Sequence, residues 1–211
     1  MSDIKSFTSS VALLADIVGS RTVDRAKAHA ELLHAIRLTN DNVAQLDPLR
    51  VTVGDELQGV YPTMGQAFRA IFSLRAHSSV ELRFGLGGGT VRIIDGPRGI
   101  QDGSAWVRAR GAIERAEWLA AQPGYRGVRT AIDDARTVAN PLVGPLSQLA
   151  DAQLARLSPG ATESLYGLLA GESNADVAHR LGISPSANSQ RVATNALRPL
   201  AAAIESLFLL G

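Results

Sequence analysis

The chain has no cysteine. That absence removes disulfide scaffolds, thiolate zinc centres, iron–sulfur clusters and cysteine nucleophiles together. Aromatic residues are scarce, at 5%, which argues against stacking bases on an aromatic platform as the main way of binding nucleic acid. Neither sign of charge dominates: 21 basic residues stand against 20 acidic ones, a net charge of +1. This balance argues against a polybasic nucleic-acid tail or a generally cationic membrane binder. Long hydrophobic runs are missing too. Val11–Ala15 is apolar but runs straight into Asp16, and Leu207–Leu210 is equally short. A membrane helix wants about 20 apolar residues, and a signal peptide wants a basic start with a longer apolar run. These exclusions predict a soluble, globular, cytoplasmic protein with no membrane partner.

Apolar residues make up 45% of the 211, enough for one ordinary domain and a small second one. Phe7–Val18 reads as a buried strand ending at Asp16, and Asp24 as the N-cap of a helix over 26–45. Residues 49–53 and 57–61 alternate with period two around Gly54-Asp55-Glu56, which predicts a hairpin with an acidic turn. Thr63 opens a second helix to about His77, and 80–89 is a strand with a glycine-rich end. After a turn at Asp95-Gly96-Pro97, 104–121 is helical; 128–132 is a strand, with a helix from about Asp133. Pro141, Gly144 and Pro145 mark a linker. The order predicts an α+β fold, ferredoxin-like, with a mixed sheet and helices over residues 1–144. An all-α unit follows over 145–211.

Asp16 and Asp55 end neighbouring elements. If the hairpin lies beside the first strand, both carboxylates reach one edge of the sheet. Two such oxygen ligands suit a hard divalent ion shared with substrate phosphates. Gly19 and Ser20, near a helix start, would offer backbone N–H groups to an anion. A plainer reading also fits: Asp16 caps a turn and Gly54-Asp55 is an ordinary tight turn. The run Gly85-Leu86-Gly87-Gly88-Gly89 lacks the strand–loop–helix context of a phosphate loop, so it reads as a strand that lets a helix pack closely. The four histidines lie apart, without metal-ligand spacing.

Four ordered motifs then stand out: Leu14-Ala15-Asp16-Ile17-Val18-Gly19-Ser20-Arg21, Val53-Gly54-Asp55-Glu56-Leu57-Gln58-Gly59, Leu82-Arg83-Phe84-Gly85-Leu86-Gly87, and Asp102-Gly103-Ser104-Ala105-Trp106 with Arg108 and Arg110. With them the chain resembles the bacterial SatD family, whose N-terminal half is similar to the palm-like core of class III nucleotide cyclases. In those cyclases two Asp bind two metal ions that handle a triphosphate, and the resemblance implies that Asp16 and Asp55 are that metal-binding pair, with Mg²⁺ as the metal. It implies that the backbone of Ile17, Val18, Gly19 and Ser20 wraps the phosphates of ATP or another purine nucleotide, and that the protein is a homodimer. The Asn that such cyclases carry one turn before their transition-state Arg is absent: Trp106 stands there, with Arg110, or else Arg108, as the surviving Arg. Val51 replaces the base-selecting lysine. Loss of charge-stabilising donors predicts nucleotide binding without efficient cyclisation, so no catalytic residue is assigned. An active divergent cyclase or nucleotide hydrolase is the alternative, as is a protein-interaction module with decayed sites.

From Asp151 onward the pattern is helical. Ser173 to Arg191 reads as a helix-turn-helix: Val177 and Leu181 face the core, Gly182 permits a left-handed turn, Ser184 caps the second helix and Pro185 opens it. That helix would enter the major groove of double-stranded DNA with Ser184, Ser186, Ser189, Gln190 and Arg191, giving a transcription regulator. Asn188 falls where an apolar residue is usual, and buried without partners it would cost about 1–3 kcal/mol; a pair used only for protein contacts is the other reading. Residues 145–211 carry 4 basic and 5 acidic groups against 17 and 15 before them. The expected DNA reader is therefore slightly acidic and weak as a monomer.

Overall fold

Strand β1 (Lys5–Ile17) forms the middle of the sheet because its Val11–Ala15 run is apolar and buried on both faces. The structure, a computed structural model, describes residues 5–19, 25–52, 54–95 and 99–211. Helix α1 (Arg25–Asn42), strands β2 (Asp47–Val51) and β3 (Leu57–Tyr61), helix α2 (Met64–His77) and strand β4 (Leu82–Asp95) follow in order. The expected N-cap Asp24 lies outside the described residues, as does the Gly96-Pro97 part of the expected turn. β1 pairs antiparallel with β3 on one side and β4 on the other, and the sheet runs β2-β3-β1-β4. That is the interleaved β-α-β-β-α-β arrangement of ferredoxin-like folds.

Beyond this frame come β5 (Ile100–Asp102), helix α3 (Ser104–Ala120) and β6 (Thr130–Asp134). β4 is long enough to serve two partners along one edge. β6 pairs parallel with residues 84–88 and β5 antiparallel with residues 92–95. The three-residue β5 has no alternating pattern to announce it.

β1 divides its apolar side chains by parity. Val11, Leu13 and Ala15 join α1 and α2 in one core, while Ala12 and Leu14 join α3 in a second. On β4 the residues opposite Leu14, Ala12 and Ser10 are Gly85, Gly87 and Gly89. All three lie beneath α3. A Cβ on Gly85 would stand 2.4 Å from the Ala109 carbonyl oxygen, and one on Gly87 would stand 2.1 Å from that of Ala105. The helix answers with Ala105, Ala109 and Ala112, all buried, so backbone rests on backbone.

The sequence predicts a helix from about Asp133, and here the structure differs. β6 continues to Asp134, whose Oδ1 accepts the Arg136 N–H at 3.0 Å, a local turn that competes with helix formation. The next helix, α4 (Val143–Leu154), starts inside the expected linker and places Pro145 in its first turn, where a missing N–H costs nothing. Then come α5 (Pro159–Leu169), α6 (Asn174–Arg180), α7 (Pro185–Thr194) and α8 (Leu197–Phe208). Ser158, Ser173 and Ser184 each cap the helix that follows them.

The C-terminal helices share the first core. Val143, Ala150, Leu165, Val192, Leu197, Ile204 and Leu207 belong to the cluster that holds Leu13, Leu32 and Phe68. The edge of Phe208 meets Phe72 at 5.5 Å between ring centres. Asp151 of α4, almost wholly buried, accepts the Arg75 guanidinium at 2.8 Å and the Arg129 N–H at 2.9 Å. Arg75 in turn lies over the Phe84 ring. Removing one partner of such a buried pair costs about 3–5 kcal/mol.

The glycine ladder gives a test with opposite signs in neighbouring elements. Gly87→Ala should lower urea stability by about 1–3 kcal/mol, since backbone must move to admit the methyl group. Gly111→Ala, on the exposed side of α3 with nothing within 4 Å of the added carbon, should raise it by up to about 1 kcal/mol.

Candidate functional site

Asp16 closes β1 on the α3 side of the sheet, having the parity of Ala12 and Leu14. Across the ladder its partner is Arg83. The Arg83 Nη1 donates to Asp16 Oδ2 at 3.2 Å and also approaches Glu117 Oε1 of α3 at 3.3 Å. The other carboxylate oxygen of Asp16, Oδ1, is buried with no hydrogen-bond partner, and so is the Arg83 Nε. On the far side of β1 the β2–β3 hairpin brings Asp55 and Glu56. Glu56 clasps the Arg110 guanidinium of α3 through both oxygens, at 2.7 and 2.9 Å.

Electrostatics tie these groups into one site. Burial raises the proton affinity of the Asp16 carboxyl above its ordinary range; Arg83 pulls it back, and the charges of Glu117 and Asp55 push it further up. Arg110 in turn feels the charge of Asp16. Leu57 pairs with Ala15, so the hairpin turn that carries Asp55 and Glu56 lies at the end of β1 that carries Asp16, and Glu56 ties it to Arg110 of α3.

The other expected residues divide. Ile17 is still in the ladder, opposite Leu82, and the Val18 N–H donates to the Glu81 carbonyl at 2.9 Å, so the sheet uses that donor. Gly19 turns the chain with φ of +68°, a conformation that favours glycine. Ser20 lies outside the described residues. Arg108 is not at the site. It pairs with Asp133 of β6 at 2.8 Å, level with Gly87 on β4, about 13 Å along the strand from Arg83.

Arg83, Glu56 and Glu117 are the members sequence reasoning missed. Arg83 and Glu56 stand inside quoted motifs, and the β1–β4 register would have exposed Arg83. Nothing local marks Glu117.

A SatD family model matches residues 10–200 of the chain. The chain belongs to the SatD family. No curated protein matches it. Among solved structures, the monomeric guanylyl cyclase domain of the RhoGC fusion protein from the aquatic fungus Blastocladiella emersonii is similar at 20% identity, with a TM-score of 0.36 over 52% of this chain and 77% of that one. The catalytic core of a rhodopsin–guanylyl cyclase with converted specificity, in complex with ATPαS, gives 20% identity and a TM-score of 0.35 over 51% and 73%. The regulator of polyketide synthase expression from Bifidobacterium adolescentis gives 14% identity and a TM-score of 0.29 over 96% and 85%.

In this SatD-family chain the donor set suits a hard cation. Asp16 Oδ1 is an orphaned buried oxygen, and Asp55 is close enough to be felt by it. Among the described residues no group of three or more His, Asp or Glu stands ready to hold an ion. An ion there would complete its shell with phosphate or water oxygens, as Mg²⁺ commonly does.

On the C-terminal helices, Ser184, Ser186, Ser189 and Gln190 of the α7 region are exposed together. Arg191 is not with them. Its Nη1 donates to the Gly160 carbonyl at 3.0 Å, laying the side chain along α5. Asn188 is buried but satisfied: its Oδ1 is 2.7 Å from the Ser164 hydroxyl, and its amide donates to Asn174 Oδ1 at 2.9 Å. The polar residue joins α5, α6 and α7 instead of disturbing them. Among the described residues no helix is long and apolar enough to cross a membrane.

Two measurements follow. Asp16 holds its proton more tightly in the fold than in the unfolded chain, so ionising it costs stability. That cost is absent below the ordinary carboxylate range and grows as pH rises through the raised value. The urea stability of Asp16→Asn relative to the parent should therefore improve from acid pH to neutrality. Asn188→Leu should lose about 1–3 kcal/mol by the same assay, because it removes the two hydrogen bonds that tie α7 to Ser164 of α5 and Asn174 of α6.

Proposed function

We propose that this protein is a nucleotide-responsive regulator. Its α+β part takes a purine nucleoside triphosphate with Mg²⁺ at Asp16 and Asp55 without efficient turnover, and its C-terminal part reads double-stranded DNA. The observation that carries the first half is the buried, unpartnered Oδ1 of Asp16 beside a second carboxylate and a left-handed glycine. Such an oxygen is costly unless a cation or proton meets it. The chemistry a bound cation supplies is neutralisation of phosphate charge. Asp16 and Asp55 would hold it.

Lack of turnover is supported by what surrounds the triphosphate position. Charge building up in a phosphoryl transition state needs uncommitted donors. Arg110 is clasped by Glu56, and Trp106 presents no amide.

For the second half, the motif from Ser173 to Arg191 takes the form of two capped helices meeting at Gly182, whose φ is +64°. The helix α7 would lay Ser186, Ser189 and Gln190 toward base edges, with Ser184 at its N-terminus near phosphate. Its electrostatics are thin. Arg180 is spent on Glu163 and Glu172, and Arg191 lies on α5. Neutralised phosphates supply most non-specific affinity, so two copies reading two half-sites fit this surface better than one. We take residues 1–144 and 145–211 as the nucleotide and DNA units, and the cytoplasm as the setting.

Calorimetric titration with Mg²⁺ and ATP should show binding that weakens at least tenfold in Asp16→Asn with Asp55→Asn, a loss of about 1.4 kcal/mol or more. Product assays on the same samples should show no cyclic nucleotide or diphosphate above blank. Turnover that Asp16→Ala abolishes would establish the enzyme reading instead. Gel-shift titrations of the protein's own promoter region should respond to Mg²⁺ and ATP, and to Gln190→Ala; an unchanged shift removes the coupling.

A further inference from the structure

We infer that Arg83 is a resident counter-cation of the Asp16 site, so that the site admits a single divalent cation with its nucleotide. The inference rests on the nucleotide reading above and specifies its metal content.

Arg83 stands where a second ion would compete for the same carboxylate. Its place on β4, in register with Asp16, puts the guanidinium against Oδ2 and leaves Oδ1 as the buried oxygen without a partner. A carboxylate that bridges two ions uses both oxygens. Asp16 has one left.

The Arg83 contact also differs in kind from the neighbouring pair. Arg110 and Glu56 make a two-pronged bond at 2.7 and 2.9 Å, the usual length for charge-assisted contacts. Arg83 instead shares a single nitrogen between Asp16 at 3.2 Å and Glu117 at 3.3 Å, while its buried Nε has no partner. A guanidinium only 14% exposed and held this loosely contributes charge more than structural grip.

Replacing Arg83 by a neutral side chain removes its contact with Asp16 Oδ2, so that both carboxylate oxygens are without a partner and a second ion has an oxygen to bind.

The test counts Mn²⁺ bound per full-length chain by equilibrium dialysis, with a saturating non-hydrolysable ATP analogue. Melting curves confirm that each protein is folded. The unmodified protein and Arg83→Lys should bind one Mn²⁺, and Arg83→Gln two. Two ions on the unmodified protein overturn the inference, whether or not Arg83→Gln folds. One ion on folded Arg83→Gln overturns it as well. If folded samples bind neither Mn²⁺ nor the analogue, the nucleotide reading itself falls; an analogue bound with two ions leaves that reading intact and removes only the role of Arg83.

Discussion

Everything at the proposed nucleotide site depends on how close α3 comes to the sheet. A helix on a sheet usually rides on a layer of side chains, and here that layer is missing. Gly85, Gly87 and Gly89 offer no Cβ, and Ala105, Ala109 and Ala112 offer only methyl groups. The helix therefore sits low, and its longer side chains reach over the end of the sheet. Arg110 meets Glu56 and Glu117 meets Arg83 because of that height. The glycines of β4 never touch a phosphate in this reading, yet they set the height of α3 and with it the positions of Arg110 and Glu117.

Much of this was legible before any coordinates. The β1 apolar run, the period-two hairpin around Gly54-Asp55-Glu56 and the capped helices from Thr63 and Ser158 obey local rules, and local rules are visible in sequence. The likeness of the glycine strand to a packing surface was legible for the same reason. The features that stayed hidden are all matters of register or of side-chain competition. Arg83 became part of the site only when the ladder placed it opposite Asp16, and Glu117 only when α3 was laid antiparallel on β4. The helix expected at Asp133 failed because an aspartate side chain took the backbone N–H of Arg136. Arg108 and Arg110 are two residues apart, which on a helix means nearly opposite directions, and the sequence alone could not choose between them.

The C-terminal helices show the same contrast in polar form. An asparagine at an apolar position reads as a defect when only its own helix is considered. With Ser164 from α5 and Asn174 from α6 beside it, the same residue becomes a three-helix fastening. Arg191 moves the other way: counted as a candidate phosphate contact, it is occupied by a carbonyl of α5. Buried polar pairs of this kind fix one arrangement of helices against others of similar hydrophobicity.

The break between α7 and α8 has a wider meaning. Ala196 adopts φ of +50° without being glycine, alone in this respect among the described residues, and α8 then runs back to bury Leu200, Ile204 and Leu207 beside α2. Helix α7 is thus one elbow away from the body that carries the sheet. Composition changes near residue 144, but the core passes through that point without a seam. A protein assembled this way cannot lend its tail to another chain as a detachable part: severing it would leave Asp151 without Arg75 and strip the apolar cover from α2. The tail and the head share one core, and each covers what the other would expose.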